Sequence, residues 1–71
     1  MQDVTITKEP VELFKVLKFE GLVGTGGEAK IVIDEGLVNV NGQLEMRKRR
    51  KLLAGDIIEF NGHTLRLIVA E

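Results

Sequence analysis

The sequence predicts one α+β domain in which two helices pack on one face of a small, mostly antiparallel sheet. Three observations carry that expectation. Apolar residues recur at helical spacing in two stretches of the first half of the chain, and short apolar, β-branched runs fill much of the second half. Two Asn-Gly pairs, Asn41-Gly42 and Asn61-Gly62, stand between such runs, where tight hairpins require positive φ.

Val4 to Thr7 alternates apolar and polar residues, which predicts a first strand with Val4 and Ile6 turned inward. Pro10 suits the first turn of a helix, where its missing N–H is not needed, and Leu13, Phe14 and Leu17 form one apolar stripe, so a helix is expected from Pro10 to Phe19. Glu20 to Gly24 interrupts it. Thr25-Gly26-Gly27-Glu28 has the spacing of a capping box and opens a second helix, with Ala29, Val32 and Ile33 on its inner face and Gly36 at its end. Ile31 falls on the outer face.

Leu37 to Val40 is the next expected strand, and its hairpin poses a question of register. A two-residue loop at Asn41-Gly42 pairs Asn39 with Leu44 and sets Leu44 on the face opposite Val38 and Val40. A three-residue loop with Gly42 in a bulge instead pairs Val38 with Leu44, and this bulged form is the one expected. Ala54-Gly55-Asp56 reads as a turn. Ile57 to Phe60 and His63 to Val69 then form a second hairpin, whose two-residue loop pairs Phe60 with His63 and Ile58 with Leu65. Ile58, Phe60, Leu65, Leu67 and Val69 would all face the core.

With 71 residues the chain has room for one domain and one small core, so a deep enclosed active site is not expected. It contains no cysteine, which removes disulfides and thiolate metal sites, and His63 has no companion ligands at metal-binding spacing. Serine, tyrosine and cysteine are all missing, so nucleophilic catalysis lacks its parts and no enzyme is expected. No apolar run approaches the roughly 20 residues that span a bilayer, and no signal segment opens the chain, so a cytoplasmic monomer without membrane attachment is expected. The formal net charge is −1, and any affinity for a polyanion must therefore come from the distribution of charge.

That distribution is uneven. Five of the ten basic residues form the run Arg47-Lys48-Arg49-Arg50-Lys51, between two expected strands. Adjacent cations repel one another, whereas a polyanion laid against them gains contacts and releases counterions. A solubilising loop or a guard on a sheet edge is the plainer reading. Lys15 and Lys18 project from the first helix away from its apolar stripe, and Lys30 lies on the second helix. The backbone N–H groups of Thr25, Gly26 and Gly27 open that helix and could meet one phosphate, although the stretch is not a nucleotide-binding P-loop. The three phenylalanines fit the buried pattern or its edge, so no aromatic platform for single strands is evident.

Leu13, Leu17, Thr25 to Lys30, Val32-Ile33, Glu35 to Gly42 and Gly55 to Ile58 together resemble the S4 RNA-binding domain. The likeness spans roughly residues 13 to 60, and Thr-Gly-Gly-Glu-Ala-Lys at 25–30 is similar to small free-standing bacterial members. The resemblance implies the helix-helix-strand αL motif, which binds structured ribosomal or transfer RNA across its two helices and the adjoining loop. The family's basic positions on the second helix fall near Gly26 and Lys30, and its basic segment falls on Arg47 to Lys51. S4 sequences commonly carry Ser-Arg where this chain has Thr25-Gly26, so one phosphate-binding arginine is missing. The functional expectation is a non-enzymatic, cofactor-free module that binds structured RNA. The alternative is a protein-interaction module of the ribosome or translation machinery, with Ile31 as an apolar contact.

Overall fold

The computed structural model describes residues 1–70. Along the chain it runs β1 (Gln2–Ile6), β2 (Val11–Glu12), α1 (Leu13–Phe19), α2 (Gly26–Asp34), β3 (Val38–Val40), β4 (Gln43–Leu44), β5 (Lys51–Leu52), β6 (Ile57–Phe60) and β7 (His63–Val69). Five strands form a sheet in the order β1-β7-β6-β3-β4, with β1 parallel to β7 and the other neighbours antiparallel. β2 and β5 form a separate antiparallel pair beside it. The α+β class expected from the sequence is the one observed.

Leu13, Val16 and Leu17 of α1 and Ala29 and Ile33 of α2 share one buried cluster with Val4, Ile6, Val38, Val40, Ile58, Leu65 and Leu67 of the sheet. Both helices stop in the same way. Gly21 and Gly36 take positive φ of 72° and 76°, and the amides around them bond back to carbonyls three and five residues earlier, the double bond pattern that closes a helix on a left-handed residue.

α1 begins at Leu13 and not at Pro10. Val11 and Glu12 are extended because they pair with Leu52 and Lys51, and this ladder ends the strand immediately before the helix. The Thr25 hydroxyl accepts a bond from the Glu28 N–H at 3.0 Å, as the capping spacing predicts. Val32 is only half-buried. Leu37 is exposed and lies outside β3, and Val69, at 43% exposure, leaves the core surface that Leu65 and Leu67 keep.

The first hairpin departs from the bulged form. Asn39 pairs with Leu44 and Val40 with Gln43 across a two-residue turn in which Asn41 and Gly42 have φ of 53° and 79°. Positive φ at both central residues matches the twist of the strands, so the tight turn sets the register and Leu44 is left 59% exposed on the outer face. The second hairpin has the expected register, Phe60 with His63 and Ile58 with Leu65.

Asn41 also binds one turn to another. Its Nδ2 donates to Asp56 Oδ1 at 3.0 Å, its Oδ1 accepts from the Ile57 N–H at 2.9 Å, and Asp56 Oδ2 accepts from the Leu53 N–H at 2.8 Å. The Asn-Gly turn and the Ala-Gly-Asp turn are thereby locked together. Asn41→Ala loses these bonds and strains a left-handed residue, and should cost about 2 kcal/mol in urea unfolding; Asn41→Gly keeps the conformation and should cost about half as much. Equal losses would show that the left-handed backbone costs nothing, and no loss in Asn41→Gly would show that the side-chain bonds contribute nothing.

Candidate nucleic-acid interface

The register of the first hairpin decides the orientation of the residue that follows β4. With Leu44 outward, alternation turns Glu45 inward, where its N–H donates to the Val38 carbonyl at 2.9 Å and its side chain is buried. A buried carboxylate must find partners, and the basic run supplies them. Arg47 donates from Nε to Oε2 at 3.0 Å and from Nη2 to Oε1 at 3.1 Å, its backbone N–H adds a bond to Oε2 at 3.1 Å, and Arg50 Nη1 reaches Oε1 at 2.6 Å. The side-chain bonds from Arg47 hold the Glu45 carboxyl at about 2, well below the ordinary carboxylate range, with Arg50 assisting and burial opposing. The same contact raises the Arg47 guanidinium.

This arrangement fixes the run against α1. Glu12 caps the helix without a side-chain bond, and the first amides of the helix are instead satisfied from the basic segment: Leu13 N–H donates to the Arg50 carbonyl at 2.9 Å and Phe14 N–H to the Lys48 carbonyl at 3.2 Å. Lys48 Nζ lies 3.7 Å from Asp34, joining the segment to the end of α2 as well.

Phe14 is where the two helices and the basic run meet. Lys30 Nζ stands 4.7 Å from the centre of its ring, the Arg49 guanidinium 5.8 Å and Lys15 Nζ 6.0 Å, all within cation–π range. Gly26 faces the same ring, since a β-carbon there would lie 3.8 Å from it and 4.0 Å from the Lys18 side chain. Lys18, Lys30 and Arg49 therefore share a surface with Gly26. Lys15 sits at its border, bridged to Glu12 at 3.3 Å, and Lys51 faces Glu12 across the β2–β5 ladder. Among the described residues, Lys18, Lys30, Arg49 and Lys51 have no carboxylate within bridging distance.

Thr25 is committed to its cap, and the Glu28 carboxylate lies near Gly24, so negative charge already stands at the start of α2 beside Gly26 and Gly27. Neither the role of Glu45 nor the surface role of Phe14 is marked by a local sequence signal. Glu45 was legible only through the two-residue register. Phe14 packs against the core, as its place in the apolar stripe predicts, and its half-exposed ring also gathers the cations; Phe19 is 67% exposed and is no core residue at all. No helix among the described residues is long and apolar enough to cross a membrane, and no His, Cys, Asp and Glu cluster among them could hold a metal.

A family model for the S4 domain matches residues 4–68. The chain belongs to the S4 domain family. It is the RNA-binding family that the sequence motifs resemble, and its match extends beyond residues 13–60 to take in most of β1 and most of β7. Among its relatives, the RNA-binding protein YbcJ of Escherichia coli (strain K12), so described by its name, is 44% identical over 69 residues, which cover 96% of this chain and 99% of that one. The probable ribosome maturation protein RlbA of Bacillus subtilis (strain 168) is 36% identical over 59 residues, 83% of each chain. The solution structure of E. coli YbcJ, described as revealing an αL motif involved in RNA binding, superposes with a TM-score of 0.73 at 43% identity, covering 96% of this chain and 87% of that one. The 30S ribosomal protein S4e of Thermoplasma acidophilum gives a TM-score of 0.70 at 28% identity, over 84% of this chain and 32% of that one. The αL arrangement of this S4 domain is thus the expected one.

Glu45 couples the basic surface to pH. Its carboxyl has a folded-state value near 2, below the unfolded one, so its stabilisation is complete above about pH 4.5 and is lost as pH falls toward 2. Glu45→Gln should lower stability at neutral pH by roughly 2 kcal/mol, a figure reduced for the solvent around Arg47, and the difference from the native chain should vanish near pH 2. Denaturant unfolding across that pH range checks it; a difference that does not change with pH would contradict it.

Proposed function

We propose that this chain is a non-enzymatic cytoplasmic module that binds structured RNA, ribosomal RNA above transfer RNA, by its shape and phosphate backbone. The basic segment Arg47, Lys48, Arg49, Arg50 and Lys51 forms one edge of the interface, and Lys15, Lys18 and Lys30 with the Thr25-Gly26-Gly27 turn form the other. One observation carries the reading: the carbonyls of Lys48 and Arg50 seat the basic run on the first turn of α1, bringing Arg49 over the same ring as Lys30. A loop that served solubility alone would need no such seat.

Arg47 remains well exposed at 73% of its side chain despite its bonds to Glu45, so an RNA phosphate can approach from its open side. Ammonium and guanidinium groups spread over two helices and the adjoining segment suit duplex or junction backbone, where sequence is read weakly. The αL motif of YbcJ, described as involved in RNA binding, supports RNA as the ligand, and the ribosome-maturation relative RlbA supports the ribosome as its source.

A second reading has one observation in its favour. Leu44 and Met46 are exposed and both approach Gly36, an apolar patch suited to a protein partner, with Leu37 next to Gly36 in sequence and Ile31 exposed on α2. Added RNA should not compete with a partner bound only there.

Equilibrium binding to a folded ribosomal RNA fragment across a salt series tests the proposal. The log–log slope should be on the order of −4, and Arg49→Gln with Lys51→Gln should flatten it by about 1 for each charge removed. Binding that keeps its slope in the double variant, or no binding at low salt, would overturn the assignment of this surface.

A further inference from the structure

Phe19 closes α1 with its ring in solvent, and an exposed phenylalanine on so small a domain calls for an occupant. It borders a cleft of about 430 Å³ between α1 and the segment that leads from β1 into β2. Buried Ile6 and Val16 line this cleft, together with the exposed Lys8, Lys15 and Lys51. Two carboxylates line it too, but Glu12 is bridged by Lys15 at 3.3 Å and Glu20 accepts from Gln2 at 3.4 Å. Lys51 belongs both to this cleft and to the hollow formed by Arg47, Arg49 and Arg50. The cleft is therefore continuous with the basic segment.

We propose that the cleft holds one unpaired nucleotide of the RNA whose structured part lies on the basic surface, its base stacked on Phe19 and its phosphate between Lys15 and Lys51. This rests on the RNA-binding reading above. The volume lies within the range of small-ligand sites. Val4, Ile6, Pro10, Val11 and Val16 give the cleft an aliphatic wall, but an uncharged protein side chain would leave Lys8, Lys15 and Lys51 on the same lining without a partner of opposite sign, whereas a nucleotide offers its base to Phe19 and its phosphates to the lysines. Stacking is tolerant of base identity, so the site selects an unpaired nucleotide next to structure and not a particular sequence. The domain would then recognise the junction where a duplex gives way to a single strand.

The test compares two RNA probes, a blunt hairpin and the same hairpin with a short unpaired adenosine tail, each bound to the native chain, to Phe19→Ala and to Phe19→Leu. The tail should tighten native binding roughly tenfold, the worth of about one base–aromatic stack, and should shift the Phe19 ring proton resonances upfield. Both variants should bind the blunt hairpin as the native chain does and lose the gain from the tail. A tail that adds no affinity, or a gain that survives in both variants, would overturn the proposal while binding of the blunt hairpin keeps the RNA reading intact. Failure of the native chain to bind either hairpin at low salt would overturn both.

Discussion

The buried Glu45 carboxylate organises this molecule's surface. Five consecutive cations would by themselves repel one another and sample many conformations, yet two of their guanidinium groups converge on one acid that the sheet has turned inward. That acid is available because a tight Asn41-Gly42 turn fixes the hairpin register, and the register holds because Asn41 is tied to the Asp56 turn. The chain of cause runs from a turn, through strand alternation, to a charged surface. With the segment held, its carbonyls complete the first turn of α1, so a helix without a side-chain cap is capped at its start by the same residues that carry the positive charge.

This geometry also bears on the missing arginine at the start of the second helix. Where related sequences commonly carry Ser-Arg, the chain has Thr25-Gly26, and Gly26 faces Phe14. Arg49 arrives over the same ring from the basic segment. A guanidinium thus stands beside the position that lacks one, supplied from elsewhere in the sequence and oriented by the aromatic face.

Much of the fold was legible from local rules. Helical spacing found α2 and the body of α1, the Thr25 cap and Gly36 marked the limits of α2, and the second hairpin followed from its Asn-Gly pair. The errors share a physical origin in non-local contacts. Pro10 looked like a helix start because the pairing of Val11 with Leu52, some forty residues away, is invisible in local sequence. The first hairpin was assigned a bulge because keeping Leu44 in the core seemed worth more than turn geometry; the cost of exposing one leucine proved smaller than that of leaving the favoured turn. The basic run, Lys18 and Lys30 were visible as charge, but the acid that orders the run and the ring that gathers the cations were not, since each looked like an ordinary strand or core residue until the register was known.

Residues 47–51 form a fixed part of the domain and not a loose charged loop. Amide hydrogen exchange of the native chain at neutral pH tests it through Leu13 and Phe14, whose N–H groups have the Arg50 and Lys48 carbonyls as partners. Both amides should be protected to an extent approaching that of the core strands β6 and β7, because opening them requires releasing the segment and its hold on Glu45. Exchange of both at the rate of an unstructured peptide would contradict it and return the basic run to the status of a mobile charged loop.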